Sequence, residues 1–328
     1  MKLSEPGKRS ERVKPSEQGP TDSFGDRLAD RVAARQSQLV LGLDPDPCQL
    51  WPRALELAST GGGESLPPAE RAARAVIEHC KLALAATAEH CVAVKLQVAC
   101  FERIGAPGWA ALNAVADLAR ERELLVIADA KRGDIDVTAA AYAQAFLGQT
   151  PTPYGPVAGV GADALTVNPL LGTDTLAPFA KTARERSAAV FVLVRTSNPG
   201  ASDVQEQRLA DGGTVTERLA EMVAELGAPG VGRAGLADVG AVVGATAPQR
   251  LEALRQAMPH AVFLLPGVGA QGGRVEELRA AFAPGPAGGL VSASRGLVAA
   301  YEQTGGDPGE ASRAQAARLR ELAWSIAC

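Results

Sequence analysis

The stretch "LLVIADAKRGDID" (residues 124–136) carries the strongest indication of the fold. A short apolar run leads directly into Asp129, Lys131 and Asp134. Two carboxylates about 4 Å apart repel by roughly 4 kcal/mol at an effective dielectric near 20. Lys131 between them, with Lys95 from a neighbouring strand, would offset that repulsion and keep both acids ionised. The stretch therefore predicts a buried strand that ends in a network of alternating cations and anions.

Seven further apolar runs resemble the first, and helical stretches separate them. Each is too short for a buried helix and too uniformly apolar for a half-exposed strand, which is typical of parallel strands covered on both faces. Eight strand–helix units predict a (β/α)8 barrel of the α/β class, a TIM barrel. A doubly wound open sheet is the second alternative, but no GxGxxG follows the first strand. The runs are "LVLGLD" (39–44), "VAVKLQ" (92–97), "LLVIAD" (124–129), "ALTVNP" (164–169), "VFVLVRT" (190–196), "VGAVVGA" (239–245), "VFLLPGVG" (262–269) and "GLVSASR" (289–295).

The chain divides into a polar N-terminal segment and one barrel domain. Residues 1–22 are rich in Pro, Ser and charge, which predicts a flexible tail, and residues 23–328 form the predicted barrel. Residues 22–36 place Phe24, Leu28 and Val32 four apart, which predicts an amphipathic helix. The long connections 58–68 and 148–161 are predicted to be surface loops. Main helix candidates are residues 71–90, 109–122, 214–227 and 248–258.

Composition excludes several classes of function. The net charge of −4 and an aromatic content of 4% argue against a nucleic-acid partner. No apolar run approaches a membrane span, and the N-terminus lacks the apolar core of a secretory signal. Five scattered cysteines without a CxxC pair fit a reducing cytoplasm. Three histidines without ligand spacing argue against zinc.

Barrel enzymes place their active-site residues at the C-terminal ends of the strands. Asn168 and Arg195 are among the polar residues there, and Asn168 is explained equally well by turn chemistry. The glycines of "PGVGAQGG" (266–273) end the seventh strand and are expected to open a helix, where backbone N–H groups can approach an anion. Arg295 ends the eighth strand, so the two loops together predict a phosphate site. The remaining charged and polar strand ends are Asp44, Lys95, Asp129, Lys131 and Ser197.

These motifs, in this order, resemble the orotidine 5′-phosphate decarboxylase family in its longer bacterial branch. The resemblance rests on "GLDPDP", "KLQVACFE", "DAKRGDI", "TSNPG", "PGVGAQGG" and "SASRG", and it extends from about Ser23 onward. The D-x-K-x-x-D core occurs throughout a superfamily of phosphate-binding barrels, whereas the full ordered set is specific to the decarboxylases.

The resemblance implies conversion of orotidine 5′-phosphate to uridine 5′-phosphate and CO2, the last step of pyrimidine nucleotide synthesis, without metal or organic cofactor. It assigns the general acid to Lys131, a place beside the substrate carboxylate to Asp129, and ribose contacts to Asp44 and Lys95. Ser197 would bind the pyrimidine amide.

The phosphate would be bound by Gln271 and Arg295. Asp134, Ile135 and Thr138 would complete the site of the other subunit of a homodimer. The loop after the seventh strand is short and lacks the tyrosine that the fungal enzymes use on phosphate, so residues 197–213 are expected to form the lid instead.

Two other functions share parts of this pattern. A sister enzyme with the same D-x-K-x-x-D core, such as a keto-gulonate-phosphate decarboxylase or a hexulose-phosphate synthase, would use magnesium and a sugar phosphate. Those enzymes are shorter and lack the "TSN" serine. A barrel that senses a nucleotide without reacting it has little use for the charged array around Lys131.

Overall fold

Eight parallel strands close into a barrel in the computed structural model, which describes residues 22–269 and 271–328. Each of the eight predicted runs overlaps one strand, and each strand pairs with its neighbours in chain order until the last pairs with the first. The predicted (β/α)8 barrel is therefore confirmed. The strands are β1 (Leu39–Leu43), β2 (Ala93–Gln97), β3 (Leu125–Arg132), β4 (Ala164–Val167), β5 (Ala189–Arg195), β6 (Val239–Val243), β7 (Phe263–Leu265) and β8 (Gly289–Ala293).

Helices surround the barrel, and the predicted ones form within a few residues of their expected bounds. The α-helices are α1 (Phe24–Arg35), α2 (Pro52–Ser59), α3 (Pro68–Thr87), α4 (Val98–Glu102), α5 (Ala106–Arg120), α6 (Asp136–Phe146), α7 (Thr173–Glu185), α8 (Ala201–Val204), α9 (Val215–Gly227), α10 (Leu251–Ala257), α11 (Arg295–Val298), α12 (Tyr301–Thr304) and α13 (Pro308–Ala327). Short 3-10 turns occupy Gly63–Ser65, Ala88–His90, Ala228–Gly230, Pro248–Arg250, Val275–Glu277, Arg279–Phe282 and Pro286–Gly288. No described helix is long and apolar enough to cross a membrane.

The connection after β7 differs from the expectation. The glycine loop was expected to open a helix, but the described residues between β7 and β8 contain only 3-10 turns. Pro284 follows the second of these turns and Pro286 begins the third, so neither position can continue an α-helix from the preceding residues. An anion at this loop would therefore meet loop N–H groups rather than the N-terminus of an α-helix.

Side chains alternate between the inside and the outside of the barrel. Leu125 and Ile127 point inward and join the apolar cluster that fills the lower barrel, while Val126 packs outward against the helices. Helix α1 closes the N-terminal end of the barrel, where the rings of Phe24 and Phe191 meet edge to face with centroids 6.1 Å apart. With one end sealed by apolar packing, the open end is the C-terminal one.

The two long connections carry short elements of their own. Residues 148–161 contain a small antiparallel hairpin, Gln149–Thr150 with Val157–Ala158, rather than a simple loop. Residues 58–68 contain one 3-10 turn. The predicted flexible tail, residues 1–22, lies outside the described residues except for Asp22, so that assignment stays a prediction.

Candidate active site

A cavity of about 440 Å³ opens at the C-terminal end of the barrel. This volume lies in the range of small-molecule sites, roughly 300–1,000 Å³. The cavity brings together seven of the ten predicted site residues, from six different strand ends: Asp44, Lys95, Asp129, Lys131, Ser197, Gln271 and Arg295.

Four charged side chains in this cavity form an alternating chain of anions and cations. The Nζ atom of Lys95 lies 3.8 Å from Asp44 Oδ1 and 2.8 Å from Asp129 Oδ2. The Nζ atom of Lys131 lies 2.6 Å from Asp129 Oδ1. Lys95 and Asp129 are buried, with side chains 7% and 9% exposed, whereas the side chain of Lys131 is 44% exposed. Of the two cations in this chain of charges, Lys131 is therefore the one whose ammonium faces the open cavity.

The pairing decides the charge of the two buried groups. Burial favours the neutral form of Asp129, but Lys95 and Lys131 outweigh it and hold the pKa of that carboxyl well below its usual range. Burial also opposes the charge on Lys95, but Asp129 and Asp44 raise the pKa of that amine above its usual value. Both groups are ionised at neutral pH.

The end of β3 is bent so that it presents Lys131. The pairing of β3 with β4 shifts register between Ala128 and Arg132, and Lys131 has a φ of 49°, a left-handed conformation that costs a non-glycine residue roughly 1–2 kcal/mol. Thr166 on β4 stabilises this bend. Its Oγ1 accepts a hydrogen bond from Lys131 N at 2.9 Å and donates one to Asp129 Oδ1 at 2.9 Å.

The residues predicted to bind the phosphate, Gln271 and Arg295, also line the cavity. Arg295 is exposed at the start of α11, and its guanidinium pairs with no other residue that the structure describes. The side chain of Gln271 folds over Gly267, where its Oε1 would lie 2.9 Å from an added Cβ. Gly267 has a φ of +97°. This edge thus offers one unpaired cation, one amide and a loop with little steric bulk.

Ser197 reaches the cavity because a glycine allows the backbone to approach. A Cβ added at Gly244 on the adjacent strand end would lie 2.7 Å from Ser197 Cα. The segment 197–213, in which we expected a lid, is attached at Gln205, whose side chain accepts from Thr196 N at 2.8 Å. Glu206 in the same segment pairs with Arg195 at 3.0 Å. Arg195 therefore anchors this segment and does not line the cavity.

Three predicted site residues lie away from the cavity of their own chain. Asp134 accepts a hydrogen bond from Ile135 N at 2.8 Å, and it forms no ion pair with the part of the chain that the structure describes. Ile135 and Thr138 are exposed. Within one chain the second anion of the network is thus Asp44, which lies 3.8 Å from Lys95 Nζ, rather than Asp134. Asn168 is also outside, and its Oδ1 accepts from Leu170 N at 3.0 Å, as turn chemistry predicts.

Several cavity residues were missed in the sequence. Thr166 is one, because the run "ALTVNP" (164–169) has Asn168 as its last polar residue, which marks that residue as the strand end. Alternation along the strand would have placed Thr166 inside. Gln97, Asn198, Ser292 and Ser294 also line the cavity. They are common uncharged residues, so only their place at a strand end could have marked them.

No group of three or more His, Cys, Asp or Glu side chains in residues 22–269 and 271–328 could hold a metal ion. The expectation that the reaction needs no metal remains to be tested in solution.

Comparisons with known proteins agree with the fold and the cavity described above. The model of the orotidine 5′-phosphate decarboxylase / HUMPS family matches residues 37–305. The orotidine 5′-phosphate decarboxylase of Deinococcus radiodurans is 41% identical over 309 residues, covering 92% of this chain and 97% of that protein. The one from Rhodopirellula baltica is 40% identical over 281 residues, covering 86% and 90%.

Solved structures resemble the barrel over nearly its whole length. The Leishmania donovani OMP decarboxylase superposes with a TM-score of 0.69 at 34% identity, covering 93% of this chain and 99% of that one. A putative orotidine-monophosphate decarboxylase from Toxoplasma gondii gives a TM-score of 0.74 at 30% identity, covering 93% and 98%. Because the family model matches most of this chain, the chain belongs to the orotidine 5′-phosphate decarboxylase / HUMPS family.

Proposed function

We propose that this enzyme decarboxylates orotidine 5′-phosphate to uridine 5′-phosphate, the closing step of pyrimidine nucleotide synthesis, with Lys131 as the proton donor to C6. The family and the relatives named above support the overall reaction. The observation that carries the role of Lys131 is its position: a half-exposed ammonium that faces the cavity and is held 2.6 Å from a buried carboxylate.

The reaction needs a cation at the carbon that loses its carboxyl group. When the bond between C6 and the carboxyl carbon breaks, its electron pair stays on C6, and the pyrimidine ring cannot delocalise it well. A fixed ammonium in a partly dry cavity stabilises that charge directly. Lys131 then transfers a proton to C6, becomes a neutral amine, and regains a proton from solvent before the next turnover.

Asp129 contributes through repulsion and through its partners. A substrate carboxylate about 4 Å from Asp129 would be repelled by roughly 4 kcal/mol at an effective dielectric near 20, and the repulsion ends when CO2 leaves. Lys95 pairs with the far oxygen of Asp129 and keeps the carboxylate ionised and oriented. Asp44, at 3.8 Å from the same ammonium, is the exposed end of the network and is suited to the ribose hydroxyls.

The remaining cavity residues bind the rest of the nucleotide. Ser197 is placed to hydrogen-bond the pyrimidine amide. Gln271 and Arg295 bind the phosphate, for which the unpaired guanidinium is the strongest support. Phosphate binding offsets the cost of bringing the substrate carboxylate close to Asp129. The segment 197–213 closes over the bound nucleotide from its attached base.

Two copies of the chain form the working enzyme. Asp134, Ile135 and Thr138 lie outside their own cavity and complete the cavity of the other subunit. Apolar side chains are also exposed in the first turn of α6 and in the loop after β4, including Val137 at 82% and Leu170 at 80% exposure. Apolar groups exposed at one rim of the barrel are typical of an interface.

The enzyme works in the cytoplasm, with no nucleic-acid or membrane partner and without a cofactor. All five cysteines are free thiols, Cys48, Cys80, Cys91, Cys100 and Cys328, as a reducing compartment permits.

The family also includes HUMPS enzymes. Activity on orotidine 5′-phosphate that survives a chelator would exclude the magnesium-dependent sugar-phosphate chemistry, and complete loss would favour it.

The role of Lys131 is tested by Lys131→Ala, with Lys181→Ala on the outer surface of α7 as the control. Both variants should fold, and only the first should lose turnover when the loss of orotate absorbance is followed. Near-normal turnover in Lys131→Ala would refute the assignment.

The physiological role is tested by expressing the protein in a strain that lacks this decarboxylase and measuring growth without uracil. A barrel that only senses a nucleotide would not restore that growth.

A further inference from the structure

The helix that carries Arg295 is a single turn and depends on outside hydrogen bonds. Helix α11 spans only Arg295–Val298, so its last carbonyl groups have no partner within the helix. Trp51 Nε1 donates to Val298 O at 2.9 Å, and Ser312 Oγ donates to Leu297 O at 2.9 Å. These two bonds fix the turn from two sides, and with it the direction of Arg295.

Trp51 is in turn held by His79 of α3. The backbone N–H of Trp51 donates to Nδ1 of His79 at 3.1 Å, and the two rings meet edge to face with centroids 5.3 Å apart. His79 is 3% exposed. Burial lowers the pKa of His79 to about 4, so the ring is neutral at physiological pH and Nδ1 is free to accept.

This contact lies beside the phosphate end of the substrate cavity. A second cavity of about 290 Å³ is lined by His79 and Trp51 together with Asp44, Ser294 and Arg295. The last three residues also line the substrate cavity. Lys131 and Ser197, at the pyrimidine end, do not line the second cavity. A substitution at His79 should therefore disturb Arg295 more than the groups around the reacting carbon.

We propose that His79 is a positioning residue for the phosphate site: by holding Trp51 through Nδ1, it fixes α11 and the direction of Arg295. The proposal rests on the phosphate role proposed above for Arg295. None of the chemistry at C6 passes through His79, so its effect should depend on whether the substrate carries a phosphate.

Two substitutions separate the hydrogen bond from the packing of the ring. His79→Phe keeps an aromatic ring against Trp51 and removes the acceptor, whereas His79→Asn places a carbonyl oxygen near the position of Nδ1. Loss of one such bond is worth about tenfold in kcat/KM. We expect His79→Phe to lower kcat/KM for orotidine 5′-phosphate about tenfold and to leave kcat/KM for orotidine, which lacks the phosphate, unchanged. His79→Asn should restore most of the loss.

A cycle with Arg295→Ala tests whether His79 acts through that arginine. In the Arg295→Ala background, His79→Phe should cause no further loss on orotidine 5′-phosphate. If His79→Phe fails to fold, Trp51→Phe replaces it, because this change removes the Nε1 donor to Val298 and keeps the backbone N–H. It should give the same loss, confined to the phosphorylated substrate.

Each contrary result has a distinct meaning. Equal losses on both substrates would reduce His79 to general packing and overturn the positioning role. Normal activity of His79→Phe, or of Trp51→Phe where that variant is used, would also overturn it, while a loss in Arg295→Ala would leave the phosphate site standing. If Arg295→Ala itself were normal on orotidine 5′-phosphate, the phosphate assignment and the positioning role would both fail, but the role of Lys131 would not.

Discussion

Lys95 and Lys131 bind the same carboxylate, yet removing them should affect stability very differently. Both pair with Asp129, at 2.8 and 2.6 Å, but the side chain of Lys95 is 7% exposed and that of Lys131 is 44% exposed. Breaking a buried ion pair from one side costs about 3–5 kcal/mol, because the remaining charge stays buried. In Lys95→Met, Thr166 and Lys131 still bind the other oxygen of Asp129, so we expect a loss near the low end, about 3 kcal/mol.

In Lys131→Met, water can replace the lost ammonium, and Lys95 remains on Asp129. Exposed ion pairs are worth roughly 0–1 kcal/mol, so we expect a loss of about 1 kcal/mol or less. Methionine resembles the lysine stem in volume in both variants, which keeps the change close to the removal of charge alone. Both variants should lose catalytic activity, so stability is the quantity that separates them.

The assay is urea unfolding at neutral pH and one fixed protein concentration, since assembly would shift the midpoint. Thermal unfolding gives a second reading, in which about 2 °C per kcal/mol predicts a decrease of roughly 6 °C for Lys95→Met and about 2 °C or less for Lys131→Met. Equal losses in the two variants, or a larger loss in Lys131→Met, would refute the argument that burial decides the strength of these contacts.

Three further predictions follow from the site. Because the folded-state pKa of Asp129 lies below the unfolded value of about 3.9, the stability that it contributes is fully present above about pH 5 and is lost as the pH falls below about 4. Asp129→Asn should therefore flatten the dependence of unfolding free energy on pH between about 3 and 5, and an unchanged slope would contradict this. Gly244→Ala should raise KM for orotidine 5′-phosphate about tenfold, because the new Cβ would stand 2.7 Å from Ser197 Cα, a backbone atom that must shift by a large part of an ångström. A KM like that of the wild type would show that Ser197 does not need its present position. Asp134→Asn mixed with Lys131→Ala in equal amounts should recover roughly a quarter of wild-type activity, because half of the dimers are hybrids with one complete site. Without recovery, Asp134 would act within its own chain.

The sequence was informative about the barrel because its signal is repeated eight times. Each buried strand carries the same apolar pattern, and chain order alone places all C-terminal ends at one rim. For this reason Lys95 and Asp129, 34 residues apart, could be expected to meet, and they do at 2.8 Å. Charge is the other strong signal, since a buried lysine needs a partner.

Contacts that depend on backbone geometry could not be read in advance. The left-handed conformation of Lys131 and the bridging hydroxyl of Thr166 follow from a register shift between two strands, which leaves no mark in the apolar pattern. The same holds for Asp134, which bonds Ile135 N and forms no ion pair with Lys131 in the described part of the chain. The 3-10 turns after β7 were missed because glycines favour both loops and helix starts. Trp51 and His79 meet only through packing of α3 against the loop after β1.

The central claim concerns one nitrogen atom and one carbon atom, and a crystal structure with bound uridine 5′-phosphate tests it most directly. We predict that Lys131 Nζ will lie within about 3–3.5 Å of C6, the range required for transfer between them, while it remains in contact with Asp129. A well-ordered nucleotide with Lys131 turned away from the ring into solvent would contradict the account.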